Sequence, residues 1–298
     1  MAVLLAGLLA LTACGKDPVV PDTVVPGFSL AEKLAWLDIN AQNNTAYLFE
    51  INADEESQFN GWDLDYSKTG VSIRLRGSKN APFEISLNGT GALFTINEGV
   101  TLILDSNIIL KGHAANNTSL VDVNGGSLVM NTGAKITGNT STNGGGVYVY
   151  DNGKFTMNGG SVSGNKATAG GAVCIYKGTF TMNNGTIYGN TATFGGGVFM
   201  DGGTFTMNNG TIYGNNAATT GGGVDIRGGG IFHIVNGTIY GSDAAAGLEN
   251  TAFNGAEMFV SEGSGTAEHG RFVGGAWTSS GNLTTSDNTI KVVNGALQ

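Results

Sequence analysis

Residues 195–215 read Gly-Gly-Gly-Val-Phe-Met-Asp-Gly-Gly-Thr-Phe-Thr-Met-Asn-Asn-Gly-Thr-Ile-Tyr-Gly-Asn. Nearly the same series stands at 170–190, and looser copies stand at 144–165 and 221–241. Each copy carries a phenylalanine at the equivalent position, and these equivalent phenylalanines are 25, 25 and 27 residues apart. They are Phe155, Phe180, Phe205 and Phe232. A repeat of this length indicates a fold built by stacking identical units.

Each copy contains three short stretches in which apolar residues occupy alternate positions. In one copy they are Val173–Ile175, Phe180–Met182 and Thr186–Tyr188, separated by Gly, Asn and Lys. Alternation with a period of two predicts strands, and the separators predict turns. Three such strands with their turns form one coil of a parallel β-helix, whereas a propeller blade needs about 40 residues. The sequence therefore predicts an all-β, right-handed parallel β-helix of the pectate-lyase-like kind, with three short strands in each rung of about 25 residues.

Stacked rungs place equivalent side chains in columns. We expect the repeat phenylalanines to form one buried aromatic column, with a second buried column of flexible side chains beside it. The second column is Met157, Met182, Met207 and Ile234. The threonines between the two columns are expected to face outward. They are Thr156, Thr181 and Thr206.

Three asparagines each follow a glycine at an expected bend: Asn165, Asn190 and Asn215. Asparagine tolerates left-handed backbone angles better than most residues. We therefore expect these residues to adopt such angles and their amides to hydrogen-bond from rung to rung.

The N-terminal part predicts a helical cap over an exposed sheet edge. Ser29-Leu-Ala-Glu32 has the spacing of a capping box, and Leu30, Leu34 and Leu37 would share one helical face. The first rung strands are expected at Tyr47–Ile51, Val71–Leu75 and Phe83–Leu87. The predicted organisation is a leader at 1–14, an extended tether at 15–28, a cap at 29–66, rungs at 67–245, and C-terminal rungs with a cap at 246–298.

The leader ends Leu11-Thr-Ala-Cys14, which resembles the lipobox of bacterial lipoproteins. The resemblance implies a lipid-modified Cys14 and an anchored location in the cell envelope, at the outer membrane or the cell surface. A plain secretory leader cleaved near Ala13 is the alternative. With Cys14 acylated, Cys174 is the one remaining thiol, so no internal disulfide is expected.

The composition argues against some partners. Charged residues make up 12% of the chain and the formal net charge is −9, so the basic footprint of a nucleic-acid binder is missing. Fifty glycines with four prolines, and no strict glycine at every third position, exclude collagen. The repeat alone does not require an oligomer.

Gly-Gly-x-Val paired with Phe-x-x-Asn, at 145–158, 170–183 and 195–208, resembles the passenger repeats of chlamydial-type polymorphic outer-membrane proteins. It is also similar to glycine-rich β-helix lipoproteins of anaerobic and spirochaetal bacteria. Both resemblances imply a β-helix that is exposed at the cell surface and has a role in adhesion.

Parallel β-helices also carry polysaccharide lyases and hydrolases, which need clustered acids. Asp122 and Asp225 are expected on the outer side of one strand column. Three rungs, which carry Tyr148, Cys174 and Phe199, are expected between them, so the two carboxylates would be about 14 to 19 Å apart. They cannot share a metal ion. Asp54-Glu55-Glu56 is expected to be a solvated loop, and the three histidines lack metal-ligand spacing. We therefore expect no catalytic residues, no cofactor and no metal.

Outward aromatic residues are the candidate ligand contacts. One set is Tyr188, Tyr213 and Tyr240, and the other is Tyr148, Tyr150, Tyr176 and Phe199. Such columns could stack on sugar rings or receive a protein, although stabilisation of the sheet by stacking is the favoured interpretation. Three functions remain open: an anchored β-helix for adhesion, host or matrix contact or surface display; a polysaccharide-binding or polysaccharide-cleaving β-helix; and a spacer without a specific ligand.

Overall fold

The computed structural model describes residues 22–57, 61–78, 81–261 and 265–298. The predicted leader, Cys14 and the first half of the tether lie outside the described residues. Within them the chain forms a parallel β-solenoid of about eight turns with one α-helix, which confirms the predicted all-β parallel β-helix. In this part of the chain no helix is long and apolar enough to cross a membrane.

Sheet A forms one side of the solenoid. Its strands, in spatial order, are β1 (Thr23–Val24), β2 (Ala46–Ile51), β5 (Val71–Gly77), β8 (Val100–Leu104), β11 (Ser127–Met130), β14 (Lys154–Met157), β17 (Thr179–Met182), β21 (Thr204–Met207), β25 (Gly230–Ile234), β28 (Gly265–Val273) and β29 (Ala276–Asn282). Pairing is parallel from β1 to β28 and antiparallel between β28 and β29.

Sheets B and C form the other two sides. Sheet B contains β3 (Glu55–Glu56), β6 (Phe83–Ser86), β9 (Ile108–Lys111), β12 (Lys135–Thr137), β15 (Ser161–Ser163), β18 (Thr186–Tyr188), β22 (Thr211–Tyr213), β26 (Gly237–Ile239), β30 (Ile290–Val293) and β31 (Ala296–Leu297). Sheet C contains β4 (Trp62–Leu64), β7 (Phe94–Ile96), β10 (Val121–Asn124), β13 (Val147–Tyr150), β16 (Val173–Tyr176), β20 (Val198–Asp201), β24 (Val224–Arg227) and β27 (Met258–Val260). A small sheet D pairs β19 (Thr191–Phe194) with β23 (Asn216–Thr220) between sheets B and C.

The predicted aromatic column is present inside sheet A. Phe155 and Phe180 stack with ring centroids 4.7 Å apart, and the next two pairs along the column are 4.6 and 4.8 Å apart. All four rings are buried, as is the neighbouring methionine and isoleucine column. Burial of one such side chain contributes about 2 to 3 kcal/mol to folding.

The threonines between these columns point outward, as predicted, but one of them is covered. Thr206 is buried, whereas Thr156 and Thr181 are partly exposed. Thr206 pairs with His233 in the next rung, and the His233 ring stacks on Trp277 of the C-terminal hairpin. The hairpin therefore closes this end of the sheet A face.

A buried asparagine column turns the chain between sheet B and sheet C. The Asn190 amide donates to Asn215 Oδ1 at 2.9 Å, and Asn165 donates in the same way to Asn190. The members, all buried, are Asn139, Asn165, Asn190, Asn215 and Asn250. This confirms the predicted rung-to-rung bonding.

The expected left-handed backbone at these asparagines is wrong. The positive φ angles belong to the preceding glycines, Gly164, Gly189 and Gly214, at 67°, 64° and 61°. Glycine has no Cβ and adopts this conformation without strain. The asparagine that follows can then turn its side chain inward to the buried backbone groups.

A second polar column runs along the outside, at the turn from sheet A to sheet B. Asn158 donates to Asn131 at 3.0 Å, and Asn131 donates to Asp105 at 2.7 Å. The column continues through ion pairs from Arg74 to Asp105 and Asp22 at one end, and through Asn183 and Asn208 at the other.

Helix α1 (Leu30–Asn40) covers the N-terminal end. Its capping box is present, because Ser29 Oγ accepts the Glu32 N–H and the Glu32 carboxylate accepts the Ser29 N–H. The predicted apolar face is confirmed, since Leu30, Leu34 and Leu37 are buried. The first turn, β2 to β4, falls inside the segment 29–66.

The expected solvated loop at residues 54–56 is wrong. Glu55 and Glu56 form strand β3, which pairs with β6. Glu55 Oε1 accepts the Leu30 N–H at 3.1 Å, and Asp54 accepts the Glu84 N–H at 2.8 Å. Free N–H groups at the start of a helix favour a carboxylate, which explains why an acidic residue is held here.

The C-terminal end changes strand direction. Strand β29 folds back on β28, and β30 runs antiparallel to β26. Here Glu257 is fully buried. Burial, helped by the negative charges of Asp287 and Asp243, raises the pKa of Glu257 to about 8. Its carboxyl group is therefore protonated in the folded protein at neutral pH.

The buried asparagine column should contribute far more stability than the outer one. We expect Asn190→Ala to lower the free energy of unfolding by about 3 kcal/mol, because several buried backbone and amide groups lose their partners. Asn183→Ala, in the same rung but in the outer column, should cost under about 1 kcal/mol. Urea unfolding of both variants measures the difference, and equal costs would contradict this assignment.

Glu257 predicts a pH dependence of stability. The pKa of Glu257 rises from 4.5 to about 8 on folding. The contribution of this one group to the free energy of unfolding is therefore greatest below pH 4.5 and is lost as the pH rises towards 8. We expect Glu257→Gln to be more stable than the unchanged protein by about 2 to 3 kcal/mol near pH 7, and no more stable near pH 4. Thermal unfolding at the two pH values measures this. The same gain in Glu98→Gln, at an exposed turn, would show a general charge effect instead.

Candidate binding face

The outer face of sheet C carries different side chains in successive rungs. One column along it is in the predicted register, with Tyr148 beside Asp122 and Phe199 beside Asp225. In full, the column is Thr95, Asp122, Tyr148, Cys174, Phe199, Asp225 and Phe259. Asp122 and Asp225 are therefore separated by the three rungs expected from the sequence.

A cleft of about 200 Å³ opens on this face. We call it the Asp122 cleft. It is lined by Asn117, Thr118, Ser119, Asp122, Ser141, Thr142, Asn143, Tyr148 and Tyr150. Sheet C forms its floor, and two successive loops that lead from sheet B to sheet C form its wall.

Hydrogen bonds join the two wall loops and fix the shape of one of them. The Thr142 N–H donates to the Asn117 carbonyl at 3.2 Å, which joins the two loops. The Ser141 hydroxyl donates to the Asn143 carbonyl at 2.7 Å. The side chains of Asn117, Thr142 and Asn143 are left at the surface of the cleft.

Asp122 is the one carboxylate that lines the cleft. Its Oδ1 atom is buried and has no hydrogen-bond partner among the described residues. Burial raises the pKa of Asp122 to about 6. At neutral pH the group is mostly ionised, so the cleft is lined by one negatively charged residue.

Two tyrosines stand next to this carboxylate. The rings of Tyr148 and Tyr150 stack with centroids 4.7 Å apart and an interplanar angle of 26°. Both are partly exposed. Burial raises the pKa of each to about 12, so both hydroxyls remain protonated donors at neutral pH.

The other end of the column is closed by its own contacts. The Arg227 guanidinium pairs with the fully buried Asp225 at 2.9 Å. It also lies 4.6 Å from the Phe194 ring centroid and within 5.7 Å of the Phe199 and Phe259 centroids. Phe199, a predicted ligand contact, is therefore engaged by Arg227.

Two further sheet C positions differ sharply in exposure. Tyr176 is exposed, with the Lys177 ammonium 5.2 Å from its ring centroid. Cys174 is buried, and burial raises the pKa of its thiol to about 12. A thiol that stays protonated is a poor nucleophile.

The tyrosine column on sheet B is arranged differently. Tyr188 and Tyr213 are stacked face to face, with centroids 5.2 Å apart and an interplanar angle of 5°. Tyr240 is turned edge-on to Tyr213 at 6.4 Å. Tyr188 and Tyr213 belong to successive rungs, so their stacking stabilises one rung on the next.

Among the described residues, no group of three or more His, Cys, Asp or Glu side chains is placed to hold a metal ion. Both carboxylate oxygens of Asp225 have partners, in Arg227 and Thr220. Asp122 therefore has no second free acid near it on this column.

Sequence reasoning found the sheet C column but not the cleft. In the sequence, Asp122 stood out only as a candidate to share a metal ion with Asp225, and the residues of the wall were not predicted to form a site. The spacing from the column asparagine to the next glycine cluster is five residues at Asn139, Asn165 and Asn190 alike, so this spacing did not mark the cleft.

Comparisons of the chain with family models, with curated proteins and with solved structures found no match. The fold and the cleft therefore define the class, which is a parallel β-solenoid with a lateral cleft on one sheet face.

Proposed function

We propose that this protein is a lipid-anchored, non-enzymatic solenoid of the cell surface that binds a polysaccharide through the outer face of sheet C. The observation that carries the proposal is the Asp122 cleft, where two tyrosine rings, a carboxylate and several amide and hydroxyl groups converge.

This set of groups suits a sugar. A sugar ring has apolar C–H surfaces that pack on aromatic rings and hydroxyl groups that need hydrogen-bond partners. Tyr148 and Tyr150 offer the rings, and Asp122 offers an acceptor for hydroxyl protons. Pockets that bury a drug-sized ligand measure about 300 to 1,000 Å³. The Asp122 cleft, at about 200 Å³, suits one unit of a longer chain.

Binding is favoured over cleavage by the positions of the acids. Most glycoside hydrolases use two carboxyl groups about 5 to 9.5 Å apart. Asp122 and Asp225 are four rung spacings apart, which is about 19 Å, and the Asp225 carboxylate is engaged by Arg227 and Thr220. Asp122 alone supplies an acceptor rather than an acid and base pair.

The location rests on the Leu11-Thr-Ala-Cys14 motif. A lipid on Cys14 would hold the solenoid at the membrane through a short proline-containing tether. The rigid stack would then extend away from the bilayer and expose its lateral faces to solvent. This agrees with the resemblance to surface β-helix lipoproteins and with a role in adhesion or in host or matrix contact.

We expect the full-length protein to bind saturably to one or more polysaccharides on a glycan array. A Tyr148→Ala, Tyr150→Ala variant should lose at least about tenfold in affinity, because two ring contacts are removed. Matched removal of two tyrosines from sheet B, in Tyr188→Ala, Tyr213→Ala, should leave binding unchanged. Circular dichroism melting confirms that both variants are folded.

The alternatives give different results in the same experiment. Loss of binding only in the sheet B variant would place the ligand on the tyrosine column. Binding to a matrix protein but to no glycan would identify a protein adhesin. Binding to nothing on either array would favour the spacer function.

Lipid anchoring predicts a covalent label. When bacteria that express the protein are grown with a labelled fatty acid, we expect labelled protein in their membrane fraction. The Cys14→Ala variant should be unlabelled. Cys174→Ala, the matched control, should label normally because its thiol is buried. Equal labelling of the Cys14→Ala variant would contradict the anchor.

A further inference from the structure

The charge of the Asp122 cleft indicates which kind of sugar it would bind. Asp122 is the one acidic residue that lines the cleft and is partly buried, and a carboxylate that is partly removed from water favours pairing with a positive charge. The residues that line the cleft include no lysine, arginine or histidine. The positive charge that balances Asp122 would therefore come from the ligand.

A cationic donor fits better than a neutral one. Hydrogen bonds between an ionised donor and a carboxylate are about twice as strong as neutral ones. The rings of Tyr148 and Tyr150 lie beside the carboxylate, and an ammonium group near the face of an aromatic ring gains further attraction. The net charge of −9 also raises the local concentration of cations.

The wall of the cleft indicates what carries the cation. Asn117, Thr142 and Asn143 place amide and hydroxyl groups around the opening, and these groups match the hydroxyls of a sugar ring. The aliphatic stem of a lysine would leave them without partners. The cleft volume is also too small for more than one compact unit.

We infer that the Asp122 cleft binds an amino sugar with a free amino group, whose ammonium pairs with Asp122 and whose ring packs against Tyr148 and Tyr150. The inference rests on the proposed polysaccharide-binding function and names its substrate class. It assigns Asp122 as the specificity-determining residue, which separates free amino sugars from their N-acetylated forms.

The test compares two ligands that differ only in this group. Isothermal titration of the full-length protein at neutral pH uses the tetramer of glucosamine and the tetramer of N-acetylglucosamine. We expect the glucosamine tetramer to bind at least about tenfold more tightly, because a charge-assisted hydrogen bond is present only there. This comparison needs no variant, so it does not depend on the folding of a mutant.

Two substitutions then locate the preference. Asp122→Asn keeps the shape of the side chain and removes its charge, so we expect it to abolish the preference for glucosamine. Glu98→Gln removes one charge from an exposed turn, and the preference should remain. Melting temperatures show whether the Asp122→Asn protein is folded.

Each other outcome has a defined meaning. Equal binding of the two tetramers would overturn the amino-sugar inference and leave the proposed function intact. An equal loss of preference in Glu98→Gln would show attraction to the overall negative charge and would also overturn it. If neither tetramer binds, the inference fails. If no polysaccharide on the glycan array binds either, the proposed function fails with it. Binding of free lysine peptides with the same dependence on Asp122 would replace the sugar with a peptide partner.

Discussion

Parallel stacking of one rung on the next is the constraint on which the rest of the structure depends. Each strand hydrogen-bonds to its equivalents above and below, so every residue lies over the residue one repeat away. The residue type at each position of a column therefore has to pack well against a second copy of the same residue type. Phenylalanine satisfies this inside sheet A by ring stacking, and asparagine satisfies it at the bend by amide bonding.

The same constraint explains why the two asparagine columns differ. At the inner bend, a glycine with a positive φ angle turns the chain, and the next asparagine places its amide among buried carbonyl groups, as Asn190 does with those of Val162 and Tyr188. At the outer turn the amides bond to each other beside solvent. Water can replace the outer bonds but not the inner ones, so the stability of the fold depends mainly on the inner column.

The candidate site lies where the repeat becomes irregular. In the central rungs the sheet C column holds Cys174 and Phe199, which are buried or engaged by Arg227. In the two preceding rungs the same column places Asp122 and Tyr148 beside open wall loops. Solenoid stacking tolerates different side chains on the outer face because they do not enter the core. A binding site can therefore arise there without disturbing the columns that stabilise the fold.

The sequence by itself determined the solenoid, its buried columns, the rung-to-rung asparagine bonds and the capping helix, because each depends on local periodicity or on a residue repeated at one spacing. The tertiary structure alone decided that Asp122 has an oxygen without a partner, that Phe199 is engaged by Arg227, and that Glu55 holds the helix N-terminus. These contacts join residues from different rungs and loops. Their distances depend on how the loops pack, which alternation and spacing do not encode.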